Sequence, residues 1–212
     1  MAKIRVVTVD DSALMRQVLA QLLSKDPDIE VVGAAPDPYI AREKIKALNP
    51  DVITLDVEMP KMDGLTFLEK LMRGRPMPVV MVSSLTEAGC QTTLRALELG
   101  AVDYITKPKL DLREGMGAIA DDLIEKVKAA AVAKIRGTGN GNGQTASRPN
   151  TPLSAAMIKT TDTIIAIGSS TGGTEAVKEV LEVLPPNTPP ILITQHMPEH
   201  FTRSFANRLN EI

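Results

Sequence analysis

Nowhere does the 212-residue chain carry the roughly 18 consecutive apolar residues of a membrane span. The N-terminus, Met1-Ala-Lys-Ile-Arg, runs straight into a strand ending on acidic residues, and a strand rather than a secretory signal is expected there. With Cys90 as the single cysteine, no intramolecular disulfide can form, and a reducing, cytoplasmic setting is expected. One thiol on a helical pattern is read as packing, not chemistry. Charge of one sign is also scarce: 24 basic and 26 acidic side chains leave a formal −2, which offers no footprint for nucleic acid or an anionic membrane surface. Histidine is limited to His196 and His200, so any imidazole chemistry is confined to the C-terminal segment.

Residues 137–152, Gly-Thr-Gly-Asn-Gly-Asn-Gly-Gln-Thr-Ala-Ser-Arg-Pro-Asn-Thr-Pro, hold almost no apolar side chain. Such a stretch cannot bury enough surface to offset the entropy of ordering it. The chain therefore divides into a first module over 1–135, a flexible linker over 136–161 and a second module over 162–212. A glycine-rich coil of this length spans roughly 25–30 Å r.m.s., which leaves the two modules free to dock or separate.

In the first module, short β-branched runs at 4–9, 29–34, 52–55, 78–83 and 102–106 alternate with helical patterns near 13–24, 38–48, 64–73, 87–99 and 112–135. That alternation predicts an α/β fold, a doubly wound five-stranded parallel sheet covered on both faces. Ligands of such sheets collect at the carboxyl ends of the strands. The first strand runs into Asp10 and Asp11, the third into Asp56, the fourth into Ser83 and Ser84, and the fifth into Lys107. Three carboxylates on one edge repel one another unless a hard cation joins them, and Mg²⁺ takes one or two carboxylates plus water and phosphate. A carboxylate beside that ion can attack a phosphoryl group while Lys107 and the Ser83 hydroxyl stabilise the transferred oxygens. One Asp after a strand can be no more than a turn former or an N-cap, as Asp11-Ser12 could be. Four such placements together point to phosphoryl chemistry.

These runs resemble the two-component receiver domains: Val-Asp10-Asp11-Ser, Leu-Asp56-Val-Glu-Met-Pro60 with Met-Asp-Gly64, Val-Ser83-Ser84, and Asp-Tyr104-Ile-Thr-Lys107-Pro108. The resemblance implies a flavodoxin-like fold with Asp56 as phosphoacceptor. It also implies Mg²⁺ held by Asp10, Asp11, Asp56 and the Glu58 carbonyl, and Ser83 with Tyr104 as the pair that reports phosphorylation.

The second module opens with Thr163-Ile-Ile-Ala-Ile-Gly-Ser-Ser-Thr-Gly-Gly-Thr174, an apolar strand delivering two serines into a glycine-rich turn. It departs from the phosphate-binding loop, since Thr174 and Glu175 stand where Lys and Ser/Thr are required, and from G-x-G-x-x-G and G-x-S-x-G as well. An ordinary strand-to-helix turn remains open on motif grounds. The next unit favours chemistry. After a helix near 174–184 and Pro185-Pro-Asn-Thr-Pro-Pro190, the strand 191–194 lies parallel to 163–167, so Ser170 and His196 both fall at carboxyl ends. An imidazole can take the Ser170 proton, and N–H groups of Gly172, Gly173 and the helix start can hold an oxyanion. His196 and His200 are spaced as zinc ligands might be, but Pro198 breaks their common face and H-E-x-x-H is absent. His200 is expected in the first turn of a helix.

Ile-Ala-Ile-Gly-Ser-Ser170-Thr-Gly-Gly-Thr-Glu-Ala176, Ile-Thr-Gln-His196-Met-Pro198 and Phe201-Thr-Arg-Ser-Phe-Ala206, taken with the receiver and linker, resemble the chemotaxis response-regulator protein-glutamate methylesterases. The resemblance implies hydrolysis of glutamyl methyl esters and deamidation of certain glutamines on methylated chemoreceptors, with no cofactor for hydrolysis. Ser170 corresponds to the nucleophile, His196 to the base, and Ser169 to a neighbour without a role. A histidine autokinase is the implied phosphodonor, and the unphosphorylated receiver is expected to cover the esterase site. The family's triad Asp lies C-terminal of the histidine, in a portion not within these residues. Phe201, Phe205, Leu209 and Ile212 form an apolar stripe with nothing after it. The reading is a second α/β parallel-sheet domain truncated early, with no nucleic acid and no membrane insertion. The alternative is a catalytically silent phosphoacceptor or receptor-docking module.

Overall fold

The structure, a computed structural model, describes residues 2–84, 86–108, 116–135 and 163–212. The chain divides into two units, Met1–Thr138 and Gly139–Ile212. The expected linker at 136–161 lies outside the described residues.

The first unit runs β1 (Ile4–Val9), α1 (Ala13–Leu23), β2 (Ile29–Ala35), α2 (Pro38–Leu48), β3 (Val52–Asp56), α3 (Gly64–Gly74), β4 (Val79–Ser83), α4 (Glu87–Glu98), β5 (Asp103–Thr106) and α5 (Met116–Val132). All neighbouring strands pair in parallel in the order β2-β1-β3-β4-β5. The order reverses between β1 and β3, so their carboxyl ends form the crevice where such folds bind ligands. β3 and β4 are buried at every residue, which is why they read as continuous runs (Val-Ile-Thr-Leu, Val-Val-Met-Val) rather than alternating ones. The register pairs Val9 with Leu55 and Asp56 with Val82, so Asp10, one step past β1, stands beside Asp56.

Polar caps start the helices where the strands stop. Ser12 accepts from the Met15 amide, Asp37 from Tyr39 and Ile40, Asp63 from Thr66, and Thr86 from Gly89. One core cluster gathers Leu19 and Leu22 of α1, Leu123 and Val127 of α5, and Val6, Val80 and Ile105 of the sheet. The expected elements are all present; the strand at 4–9 and the helix at 38–48 have the expected bounds, and the other ends shift by at most four residues. For α5 the expected range 112–135 becomes 116–132, with residues 109–115 outside the described set.

The second unit runs β6 (Ile165–Ser169), α6 (Gly173–Leu181), β7 (Ile191–Gln195) and α7 (Glu199–Leu209). β6 and β7 pair in parallel, as expected, but β6 begins at 165 rather than 163 and runs on to Ser169. Both strands alternate between half-buried and exposed residues, so one face is covered and the other, with Leu192 at 64% exposure, meets solvent. The expectation of a wholly uncovered stripe on the last helix is corrected: Phe201 and Phe205 are buried. The apolar side of α7 turns inward, and Arg208 near its end holds Glu175 of α6 at 2.7 Å. Only Ile212, beyond the helix, stays largely exposed.

Candidate functional site

At the carboxyl edge of the five-stranded sheet, one carboxylate oxygen from each of Asp10, Asp11 and Asp56 lies within 4.8 Å of the other two. Asp10 and Asp56 are fully buried and Asp11 is exposed. The Arg16 guanidinium braces the loop by donating to the carbonyls of Asp10 and Asp11 at 2.7 and 3.0 Å. Asp10 Oδ1 accepts from the Ser12 amide at 2.8 Å and Asp56 Oδ1 from the Glu58 amide at 3.1 Å. Lys107 Nζ stands 2.8 Å from Asp56 Oδ2 and 3.5 Å from Asp10 Oδ2. It is placed there because the Lys107 amide donates to the Ser83 carbonyl at 2.8 Å, extending β5 along β4.

Burial pushes the Asp56 carboxyl up to about 6, the Asp10 charge adding to the effect and Lys107 opposing it. Burial likewise raises Asp10, against the pull of Lys107. Burial works to lower Lys107, but Asp56 and Asp10 outweigh it and hold the ammonium above its ordinary value. Three carboxylates thus face one ammonium. Asp10 Oδ2 is buried without a hydrogen bond, and the donors are all hard oxygens, which fits a magnesium ion.

Gly64 shapes the loop after β3. A Cβ there would stand 2.0 Å from the Asp56 carbonyl oxygen, while its amide donates to the Val57 carbonyl at 2.9 Å. Only glycine permits that approach. Glu58 lies in the same loop and its carboxylate accepts from Ser84 at 3.2 Å. Ser83 is turned toward α4: its hydroxyl lies 2.7 Å from Thr93 Oγ1, which is also 2.7 Å from the Gly89 carbonyl. Tyr104 is buried in β5, with Lys126 5.2 Å over its ring and donating to its carbonyl at 2.7 Å. Burial raises the Tyr104 hydroxyl pKa. The fold thus joins Asp10, Asp11, Asp56 and Lys107 directly, and sets Ser83 and Tyr104 on adjacent strands. Thr93 was not singled out by the sequence, because a Thr within a helical pattern carries no strand-end signal.

In the second unit, Ser170 Oγ and His196 Nδ1 lie 3.4 Å apart, each just past the carboxyl end of its strand. Both residues are exposed. Nδ1 facing the hydroxyl leaves Nε2 to be oriented by another group. The expectation that the Gly173 amide serves an oxyanion is corrected: that N–H closes the turn by donating to the Ser170 carbonyl at 2.8 Å. Gly172 supplies the left-handed step into α6, with φ of 73°. Ser169, expected to be a bystander, donates to Gln195 Oε1 at 2.6 Å. Gln195 was missed outright. His200 sits in the first turn of α7, as expected.

A five-stranded parallel sheet of this order, with buried aspartates and a lysine at its switch point, defines a response-regulator receiver. The family model for the response regulator receiver domain matches residues 6–120, and the chain belongs to that family. The model for CheB methylesterase matches residues 165–212. Curated relatives similar along the whole chain include the protein-glutamate methylesterase/protein-glutamine glutaminase 2 of Cupriavidus pinatubonensis, 56% identical over 99% of this chain and 58% of its own length. A second, from Shigella boydii, is 58% identical over 100% of this chain and 66% of its own. This chain thus spans about three fifths of the length of the curated relatives it matches. Among solved structures, the response regulator domain of Thermotoga maritima CheB aligns at 46% identity and TM-score 0.56, over 62% of this chain and 98% of that one. One chain of the solved complex of the P1 domain of CheA3 with CheY6 from R. sphaeroides aligns at 33% identity and TM-score 0.52, over 63% of this chain and 100% of that one. No helix among the described residues is long and apolar enough to cross a membrane.

Proposed function

We propose that this protein is a phosphorylation-activated response regulator of chemotaxis, whose second domain hydrolyses glutamate methyl esters and deamidates certain glutamines on chemoreceptors. The observation that carries the hydrolytic half is the approach of Ser170 Oγ and His196 Nδ1, 3.4 Å apart at neighbouring ends of parallel strands. The names of the relatives support the choice of ester and amide.

In the receiver, an Asp56 oxygen attacks the phosphoryl group of a histidine autokinase; the P–O bond forms as the P–N bond to the donor breaks. The complex whose P1 domain sits with a receiver supports that donor class. Asp10, Asp11, Asp56 and the Glu58 carbonyl would hold the magnesium ion, which when bound neutralises charge on the transferred group. Lys107, already on Asp56, stabilises the phosphoryl oxygens. Ser83 leaves Thr93 to meet the new phosphate, and Tyr104 follows it, which changes the surface around β4, β5 and their helices.

In the second domain, His196 takes the Ser170 proton as Oγ attacks the ester carbonyl. Methanol departs with that proton, and water then hydrolyses the acyl-serine to restore the serine and leave a glutamate. For a glutamine the leaving group is ammonia. The acid that orients His196 would come, on the family's pattern, from sequence beyond residue 212, and N–H groups of the first turn of α6 other than that of Gly173 would meet the oxyanion. The test uses protein of the relatives' full length. A small phosphodonor with Mg²⁺ should add one phosphoryl group and raise methanol release from methylated receptors. Asp56→Asn should abolish uptake. Ser170→Ala should keep uptake and cut hydrolysis by at least about 10⁴; hydrolysis that survives this change sinks the reading.

A further inference from the structure

We infer that Gln195 is the positioning residue of the Ser170–His196 pair, clamping the two strand ends together, and that Ser169 orients the clamp. The inference rests on the reading of Ser170 as nucleophile and His196 as base. Ser169 and Gln195 are register partners across β6 and β7, so strand parity puts their side chains on one face, side by side. Gln195 Nε2 donates to the Ser170 carbonyl at 2.9 Å and to the His196 carbonyl at 3.2 Å. Two acceptors on that side fix the amide nitrogen there, and Oε1 is left to accept from Ser169 Oγ at 2.6 Å.

The consequence is geometric. The Ser170 carbonyl receives two hydrogen bonds, from Gln195 and from the Gly173 amide, while the His196 amide donates to the Ser169 carbonyl at 2.9 Å. The backbone on either side of the nucleophile is thus tied to the backbone on either side of the base. Burial cannot do this, because Ser170 and His196 are exposed. Gly173 belongs to the same unit: a Cβ there would stand 2.4 Å from Gln195 Oε1 and 2.6 Å from Ser169 Cβ. Glutamine is the side chain with both a donor and an acceptor at this reach; glutamate would present a carboxylate to two carbonyls, and methionine would present neither partner.

The test measures methanol release, and labelling of Ser170 by a fluorophosphonate, in protein of the relatives' full length. Gln195→Met should lower kcat and the labelling rate by about 10²-fold, the usual cost of a displacement near 1 Å, with KM within about threefold and an unchanged melting temperature. Ser169→Ala should cost about three- to tenfold. For Gln195→Glu, kcat relative to wild type should rise as pH falls from about 8 to 5.5, because the protonated acid regains a donor for the Ser170 carbonyl; a merely structural role would not give that profile. Wild-type kcat in Gln195→Met, or labelling of that variant at the wild-type rate, overturns the clamp alone. A wild-type protein whose Ser170 is never labelled overturns the parent reading and the clamp with it.

Discussion

The five-stranded sheet of the first unit and the two-stranded sheet of the second both gather polar side chains at the carboxyl ends of parallel strands, yet they do so in opposite environments. β3 and β4 are buried at every position, and the carboxyl group that follows from that burial titrates near 6. β6 and β7 are half-covered on one face and open on the other. There Ser170 and His196 are exposed, and Gln195 donates a hydrogen bond to the carbonyl of each. A covered sheet changes what a group is; an open one can only change where it stands.

That contrast can be broken most forcefully by matched truncations. Leu55→Ala, at a fully buried position, should cost about 2–5 kcal/mol, whereas Leu192→Ala, at 64% exposure, should stay within about 0.5 kcal/mol. Equal losses in chemical denaturation would mean that the open face is covered in solution. Matched additions come next. A methyl group at Gly64 would strike the Asp56 carbonyl, and at Gly168 it would meet nothing within 4 Å. Gly64→Ala should therefore destabilise by about 3 kcal/mol and Gly168→Ala by almost nothing, readable as a fall in melting temperature for the first alone.

A pH series sharpens the electrostatic side. The Asp56 pKa stands near 6 in the fold against an ordinary 3.8, so the ionised form is the one the fold disfavours. The cost is absent below about pH 4, develops as pH rises to 6 and is complete above it. Without divalent cation, Asp56→Asn should stabilise the receiver by about 2–3 kcal/mol at pH 7.5, and the gain should vanish by pH 4. With saturating Mg²⁺ the advantage should shrink or reverse, because the carboxylate is then the favoured form; calorimetry at both pH values checks the sign. Smallest is the effect of the Thr54 hydroxyl, which is buried in β3 without a hydrogen bond. Thr54→Val should gain about 1 kcal/mol, and a loss would reveal a partner for that group.

Much of this was legible in the chain before folding. Gly64 is visible in the sequence as part of a motif, but the reason for it, a 2.0 Å approach to the Asp56 carbonyl, depends on how tightly the loop after β3 turns back. Ser169 and Gln195 were not legible as partners. Their spacing of 26 residues has no local periodicity, and a glutamine between a strand and a histidine reads as an ordinary strand end. Gly173 was expected to offer its amide to an oxyanion; a glycine-rich turn does not announce which of its N–H groups closes on its own first carbonyl. The buried stripe of Phe201 and Phe205 was visible as a stripe, but not what would cover it.

By itself the sequence determined the elements and their polarity, because β-branched runs and helical stripes are local and most strands are followed within a step or two by a polar or charged residue. Tertiary structure alone decided which ends meet. Lys107 reaches Asp56 across 51 residues, and Ser170 reaches His196 across 26. Ser170 and His196 follow directly paired strand ends, while Lys107 crosses over β4 to reach the end of β3; both depend on strand order and register, which are properties of paired backbones, absent from either strand read alone.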